Sequence, residues 1–473
     1  MKRFYFLLLS LISLYPTVCM GEIKLPSILG SHMVLQQQST VKLWGKSNQK
    51  QIKIQTSWDH QTYQAKTNPS GDWDVEIKTG SAGGPYTIKF NDGDVVELED
   101  IYLGEVWFCS GQSNMEMPVK GFYGQPVFHS METISNAQAD TPIRLFTVNR
   151  NPVRQKQDDY HMSAWVTHTP EQVADFSAVA YFFGQQLYNT LRVPIGLIHS
   201  SWGGSNIQSW MSSESLQMYP EISQKHLQEN GEIKSPNLAA AMLYNGMAYP
   251  FRQFKIKGVI WYQGESNRDK PQQYLSLFKT FVQDWRDLFQ NEDLPFYYVQ
   301  IAPFRYEKND GISSALLREA QFLGQQQVCN VKMAVTMDIG DEYCIHPAQK
   351  QKVGQRLAYL ALNHTYGEKG IKGDSPSYKS QEIKENKIIL SFDEVSLGLT
   401  SYNKPLTLFE ITGEDGVYHP AQARIVNYNQ VEVWNDSIKN PVAVRYAFKN
   451  YVIGELFGTN GSAVSSFRTD ANF

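Results

Sequence analysis

The chain has 473 residues and a formal net charge of −4 at pH 7, with both signs interspersed, which excludes the basic stripe of a nucleic-acid-binding protein. Its length exceeds what one hydrophobic core usually serves, so two or three domains are expected. An aromatic content of 13% suits a surface that meets sugar rings and an aromatic β-rich core equally well, and by itself names no function.

Lys2 and Arg3 precede an apolar run from Phe4 to Leu14, followed by Pro16 and short residues around Cys19 and Gly21. This is the layout of a secretory signal peptide over residues 1–21. The run is too short for a bilayer, and no later stretch approaches the roughly 20 apolar residues a membrane helix needs. An exported protein, periplasmic or secreted and without a transmembrane segment, is therefore expected. Cys19 makes a lipid-anchored form the minor alternative, although Pro16-Thr17-Val18 lacks the small residues usual before a lipidated cysteine. Without the leader, Cys109, Cys329 and Cys344 remain, an odd and widely spaced set that resembles neither a disulfide framework nor a zinc site.

From Glu22 to about Asp100, short β-type runs alternate with turns such as Asn68-Pro69-Ser70-Gly71 and Asn91-Asp92-Gly93. Runs at Met33 to Leu35, Val41 to Trp44, Gln51 to Thr56, Trp73 to Lys78 and Tyr86 to Phe90 predict a small β-sandwich over residues 22–100. Beyond it, over residues 101–373, strand-like runs alternate with helical spacing. The runs are Val106 to Phe108, Ile195 to Ile198, Val259 to Tyr262, Phe296 to Ile301 and Met333 to Met337. Helical spacing joins Phe176, Val179, Phe183, Leu187 and Leu191, and again Leu275, Phe278, Phe281, Trp285 and Leu288. Such alternation predicts an α/β domain, a parallel sheet with helices on both faces and ligands at the carboxyl ends of the strands. Residues 374–473 return to β-type runs and predict a second all-β module.

The polar residues gather at the ends of the predicted parallel strands. The first end carries Cys109-Ser110-Gly111-Gln112-Ser113-Asn114, where a glycine permits a tight turn and Ser113 opens a possible helix; an N-capping serine is the plainer reading. The second carries Ser201-Trp202-Gly203-Gly204-Ser205-Asn206, whose glycines let backbone amides approach a ligand, or simply make a turn. The third carries Gln263-Gly264-Glu265-Ser266-Asn267, with Gln263 able to donate to an oxyanion or to serve as a satisfied core amide. The last, Asp338 to Pro347, holds His346 just before a predicted helix start, with Pro347 suited to its first turn. A nucleophile, close-approach glycines, an amide donor and a base at successive ends of one sheet form an acyl-transfer constellation, which calls for no metal and no organic cofactor. Glu265, Asp338 and Asp341 also admit a paired-carboxylate glycosidase, a reading that leaves Ser113 and His346 idle.

Gly-Gln-Ser-Asn at 111–114, Trp-Gly-Gly-Ser at 202–205, Trp-Tyr-Gln-Gly-Glu-Ser-Asn at 261–267 and Ile-His-Pro at 345–347 resemble the sialate O-acetylesterase family, carbohydrate acetyl esterases of the SGNH hydrolase superfamily. The likeness extends to Met33-Val34-Leu35-Gln36, Leu243 to Met247 and Phe467 to Asp470, and so covers nearly the whole chain after the leader. It implies an SGNH-type three-layer α/β/α domain flanked by N- and C-terminal β-sandwich-type modules. It also implies Ser113 as nucleophile, His346 as general base, and an oxyanion hole from the Ser113 amide, a Gly204 or Gly203 amide and the Gln263 side chain. Gln112, Asn114, Trp202, Asn245 and Glu265 fall to substrate binding, and the partner is an O-acetylated sugar or glycan. Many relatives carry an aspartate two or three residues before the histidine. Cys344 and Tyr343 stand there instead, leaving Asp338, Asp341 or a backbone carbonyl to orient His346. Acetyl xylan esterase is the rival within enzymes and a non-catalytic glycan-binding protein the rival outside them. The sequence does not set the oligomeric state.

Overall fold

The computed structural model describes residues 22–159 and 162–470; the expected leader, with Cys19, lies outside the described residues. Strands β1 (Val34–Gln36), β2 (Thr40–Lys46), β3 (Gln51–Thr56), β4 (Thr62–Lys66), β5 (Asp72–Lys78) and β6 (Gly83–Asn91) open the chain. β2 pairs antiparallel with β5, and β3 pairs antiparallel with β4 and β6. In β3 each exposed residue alternates with a buried one, which sends Ile52, Ile54 and Thr56 inward as the pleat requires.

The long strand β7 (Val95–Gly111) joins two environments. Its first half alternates between exposed and buried positions and pairs antiparallel with β6. From Leu103 every residue is buried, and Trp107 to Gly111 lies between two parallel neighbours. A strand covered on both faces has no solvent side and reads as a continuous apolar run, here Val106-Trp107-Phe108-Cys109.

The chain continues through helix α1 (Ser113–Glu116), α2 (Ser130–Ser135), β8 (Ile143–Thr147), β9 (Trp165–Val166), α3 (Pro170–Asp175), α4 (Ala178–Leu191), β10 (Ile195–Ser201), β11 (Gly258–Tyr262), α5 (Pro271–Leu288), β12 (Phe296–Val299), α6 (Ser313–Gln327), β13 (Val331–Ala334) and α7 (Lys350–His364). The central mixed sheet runs β13-β12-β11-β7-β10-β8-β9, parallel throughout except where β9 turns back on β8. Side chains alternate along the strands. Trp107, Cys109 and Leu197 enter one core cluster with Val179 and Phe183 of α4 and Leu357 of α7. Phe108, Ile198 and Trp261 enter another with Phe281 and Trp285 of α5 and Leu317 of α6. Truncating a fully buried aromatic such as Trp285 to alanine costs about 3–5 kcal/mol.

Beyond α7 the chain forms two four-stranded antiparallel sheets. One runs Ser377–Lys384, Lys387–Asp393, Gln430–Trp434, Gln422–Asn427; the other runs Tyr418–Pro420, Phe409–Thr412, Ala443–Tyr446, Phe467–Arg468. Arg468 pairs with Glu319 of α6, and Gln300 after β12 donates to Ser465 Oγ at 2.7 Å, so this region is tied to the central sheet.

One sequence expectation is corrected. α7 begins at Lys350 rather than at Pro347, and His346 lies on the loop before it. The intervening Pro347-Ala348-Gln349 stays outside the helix, and the Lys350 amide closes a short turn onto Ala348 O at 2.9 Å.

Candidate active site

β7 ends in a turn that requires glycine. Gly111 has φ +147, and a Cβ on it would lie 2.1 Å from Tyr262 O on the neighbouring strand. The backbone can therefore press against β11, where Gln112 N donates to Tyr262 O at 2.9 Å, before α1 begins at Ser113. Ser113 is partly exposed, and its amide, at the start of the helical turn, has no acceptor among the described residues.

His346 meets this serine from the loop after β13. Its Nε2 lies 2.8 Å from Ser113 Oγ, and its Nδ1 lies 2.6 Å from Gln125 Oε1. A carbonyl oxygen facing Nδ1 places the ring proton there and leaves Nε2 free to accept the serine proton. Burial, and then the charge of Lys350, push the histidine down to about 4, so it is neutral at neutral pH. The edge of Phe122 packs on the ring, with centroids 5.4 Å apart. A serine hydroxyl on a neutral, oriented imidazole can act as a nucleophile with its base.

Neither candidate aspartate reaches His346 Nδ1. Asp338 bonds Arg356 through both carboxyl oxygens, at 2.7 and 2.9 Å, and also Lys352. Burial alone would raise the Asp338 carboxyl, but these cations hold it below the usual carboxylate value. Asp341 accepts the backbone amides of Tyr343 at 2.8 Å and Cys344 at 2.9 Å and shapes the loop that carries the histidine. The group that meets Nδ1 is Gln125, 221 residues before His346 in sequence and presented by a small turn in which the Phe122 and Gln125 amides donate to each other's carbonyls. A lone glutamine in this loop carries no local sequence signature.

On the other side of Ser113 lies the turn after β10. A Cβ on Gly203 would stand 3.4 Å from Ser113 Cβ, in van der Waals contact, and 2.8 Å from Glu116 Oε2, so this turn packs directly against the serine. Gly203 N donates to Glu116 Oε2 at 2.8 Å, whereas the exposed Gly204 amide has no acceptor among the described residues. Gln263 behaves differently from the expected oxyanion donor. It is fully buried, and its Nε2 already donates to Ser205 O at 3.1 Å and Asn267 Oδ1 at 2.8 Å. One N–H holds the glycine turn through Ser205 O, the other is taken by Asn267 in the turn after β11, and neither is left for a ligand.

The residues assigned to substrate divide in the same way. Gln112 is buried, with Oε1 facing the Gly264 amide at 3.3 Å, and Asn245 donates to the carbonyls of Val153 and Arg154. Asn114 is buried and bonds Glu265 Oε1 at 2.8 Å. Burial raises the Glu265 carboxyl, while its contacts with Asn114 and Lys350 oppose the rise. Trp202 is half-buried, with the Arg150 guanidinium 5.1 Å from its ring centre. Arg150 is 53% exposed and bonds Glu116 Oε1 at 2.6 Å. An accessible cation thus stands beside the Ser113 turn. Among the described residues, no three His, Cys, Asp or Glu side chains come together as a metal-ligand set.

A family model described as carbohydrate esterase, sialic acid-specific acetylesterase, matches residues 103–363. The sialate O-acetylesterase of Mus musculus is 27% identical over 90% of this chain and 89% of its own length. That of Homo sapiens is 29% identical over 81% of this chain and 78% of its own length. Among solved structures, a carbohydrate acetylesterase from Xanthomonas citri superposes with a TM-score of 0.87 at 32% identity, covering 95% of this chain and all of that one.

Proposed function

Since the chain belongs to the sialic acid-specific acetylesterase family of carbohydrate esterases, we propose that it removes O-acetyl groups from sialic acids by Ser-His nucleophilic catalysis through an acetyl-enzyme. The observation that carries this reading is the contact of Ser113 Oγ with His346 Nε2, with Gln125 on the far nitrogen. Ser113 attacks the acetyl carbonyl while His346 takes its proton; the tetrahedral oxyanion is held by the Ser113 and Gly204 amides. The sugar oxygen leaves with the proton from His346. Water, deprotonated by the same nitrogen, then releases acetate and restores Ser113.

Gln125 keeps the imidazole in the tautomer this sequence needs, and Gln263 supports the glycine turn. Arg150 favours a sialic acid over a neutral sugar polymer, because a guanidinium binds a carboxylate with charge-assisted hydrogen bonds and a neutral sugar cannot reciprocate. The fold is read as an SGNH-type three-layer domain over residues 101–373, flanked by β modules at 22–100 and 374–473. Helices packed against both faces of the parallel strands support that reading. Residues 1–21 are read as an export signal.

The test is acetate release from O-acetylated sialic acid, acetylated xylan and an aryl acetate, by the protein and its Ser113→Ala variant. Release from the sialic acid that disappears in the variant is expected. Release from xylan alone would reassign the substrate, silence on all three would mark a glycan-binding protein, and an active Ser113→Ala variant would overturn the mechanism.

A further inference from the structure

Lys350, which opens α7 four residues after His346, is fully buried. Removing an ammonium from water is costly, and a methionine would fill a similar volume without that cost. What the lysine adds is a donor and a charge. Its Nζ donates to Asn114 Oδ1 and lies 5.7 Å from the centre of the Tyr262 ring. The same carboxamide donates from Nδ2 to Ile345 O at 3.1 Å and to Glu265 Oε1 at 2.8 Å. Asn114 follows Ser113, and Ile345 precedes His346. One buried amide therefore joins the backbones that carry the serine and the histidine, with a cation at its oxygen and a carboxylate at its nitrogen.

We infer that Lys350 is a positioning residue: acting through Asn114, it locks the Ser113 turn to the Ile345-His346 backbone and holds the hydroxyl on His346 Nε2. The inference rests on reading Ser113 and His346 as nucleophile and base. Facing Lys350 are Glu265 from the turn after β11, Cys344 from the loop before its own helix, and the Tyr262 ring. Facing His346 are the Gln125 amide, the Ser113 hydroxyl and the Phe122 ring, all uncharged, so Lys350 supplies the charge that bears on it. Burial draws the lysine down to about 7, and Glu265 and Cys344 work against that loss of charge. The ammonium opposes a second positive charge on the imidazole. Removing it raises the histidine, so the acid limb of kcat/KM moves to higher pH.

The experiment compares the protein with Lys350→Met, Asn114→Leu, the double variant and Ser113→Ala. It reads kcat and KM on an aryl acetate, the pH profile of kcat/KM and thermal unfolding. In folded Lys350→Met, kcat is expected to fall about 10- to 100-fold with KM within about twofold, since loss of sub-ångström alignment costs rate rather than binding. The acid limb should rise by about half a pH unit or more, by the loss of one nearby charge. The double variant should be no more than about threefold worse than the poorer single, because residues acting as one unit are non-additive. A folded Lys350→Met variant with undiminished kcat or an unmoved limb overturns the inference. If that variant does not fold, Lys350→Gln decides: it removes the charge but keeps a polar N–H-bearing side chain at the buried position, so an upward limb shift supports the inference, and an unchanged profile overturns it. An active Ser113→Ala variant overturns the Ser113–His346 reading itself. An inactive one beside an unimpaired Lys350→Met overturns only the role of Lys350.

Discussion

Among the described residues two histidine–serine pairs are hydrogen-bonded, and their differences separate a buried contact from the proposed reactive pair. His199 and Ser201 stand two residues apart on β10, hence on one face of the strand, with Nε2 2.6 Å from the hydroxyl. Both are buried, and His199 Nδ1 has no partner among the described residues. Burial pushes His199 down to about 4, the same value as His346. Contact and basicity are thus shared by the two pairs. What His346 and Ser113 have besides is partial exposure, an oriented far nitrogen, an unpaired amide at the serine and the close glycine turn.

Substituting the two serines breaks the comparison most sharply. Ser113→Ala is expected to lower kcat by at least about 10³-fold, the scale of losing a catalytic nucleophile. Ser201→Ala should stay within about threefold of full activity and lose about 1 kcal/mol of stability, the net value of one hydrogen bond, as kinetics and denaturant unfolding will reveal.

Gln125 comes next, as the group His199 lacks. Gln125→Ala is expected to cost about 10- to 100-fold in kcat, since the imidazole loses its tautomer and orientation. Gln125→Glu puts a carboxylate on Nδ1, favours the imidazolium and raises the histidine. Activity needs the neutral ring and is lost as pH falls through its pKa, so a kcat/KM profile should show the acid limb of this variant at higher pH. An unshifted limb would break the assignment of Gln125.

Arg150→Gln probes what lies in front of the pair. A loss of about tenfold in kcat/KM on O-acetylated sialic acid is expected, near 1.4 kcal/mol for a charge-assisted contact, with the aryl acetate unchanged. Equal losses on both substrates would mean that Arg150 serves the turn through Glu116 and not the substrate carboxylate.

The smallest effect on activity concerns the buried pair. His199 is held neutral in the folded chain and takes up a proton near pH 6.5 once unfolded, so its contribution to stability is complete above that pH and is lost as pH falls towards about 4. Roughly 3 kcal/mol disappears across that window. His199→Phe should flatten this part of the pH–stability curve, measured by denaturant unfolding, while leaving kcat within about threefold.

The alternation of apolar runs with helical spacing was legible because burial on both faces leaves a strand such as Val106 to Cys109 no polar position, and because α5 must present one apolar stripe to the sheet. Ser113 and His346 were legible because the ends of parallel strands are the places where such a fold leaves polar groups beside a cleft. The aspartates misled for a physical reason. Nearness in sequence put Asp338 and Asp341 close to His346, but Arg356 on α7 and the loop's own amides claim them. Gln263 misled because a side-chain amide can donate either to a ligand or to its own fold, and only its packing against Ser205 and Asn267 decides.

The sequence by itself determined which elements form, their order, and the serine and histidine at the strand ends, since these follow from local periodicity and from motifs a few residues long. Only the tertiary structure decided that Gln125 meets His346 Nδ1, that Gln263 bonds the Ser205 carbonyl, that Arg150 stands over Trp202 and that Lys350 reaches Asn114. Each of these is a contact between segments 50 or more residues apart, and such pairings are set by how the sheet and helices pack, for which no short stretch of sequence carries a signal.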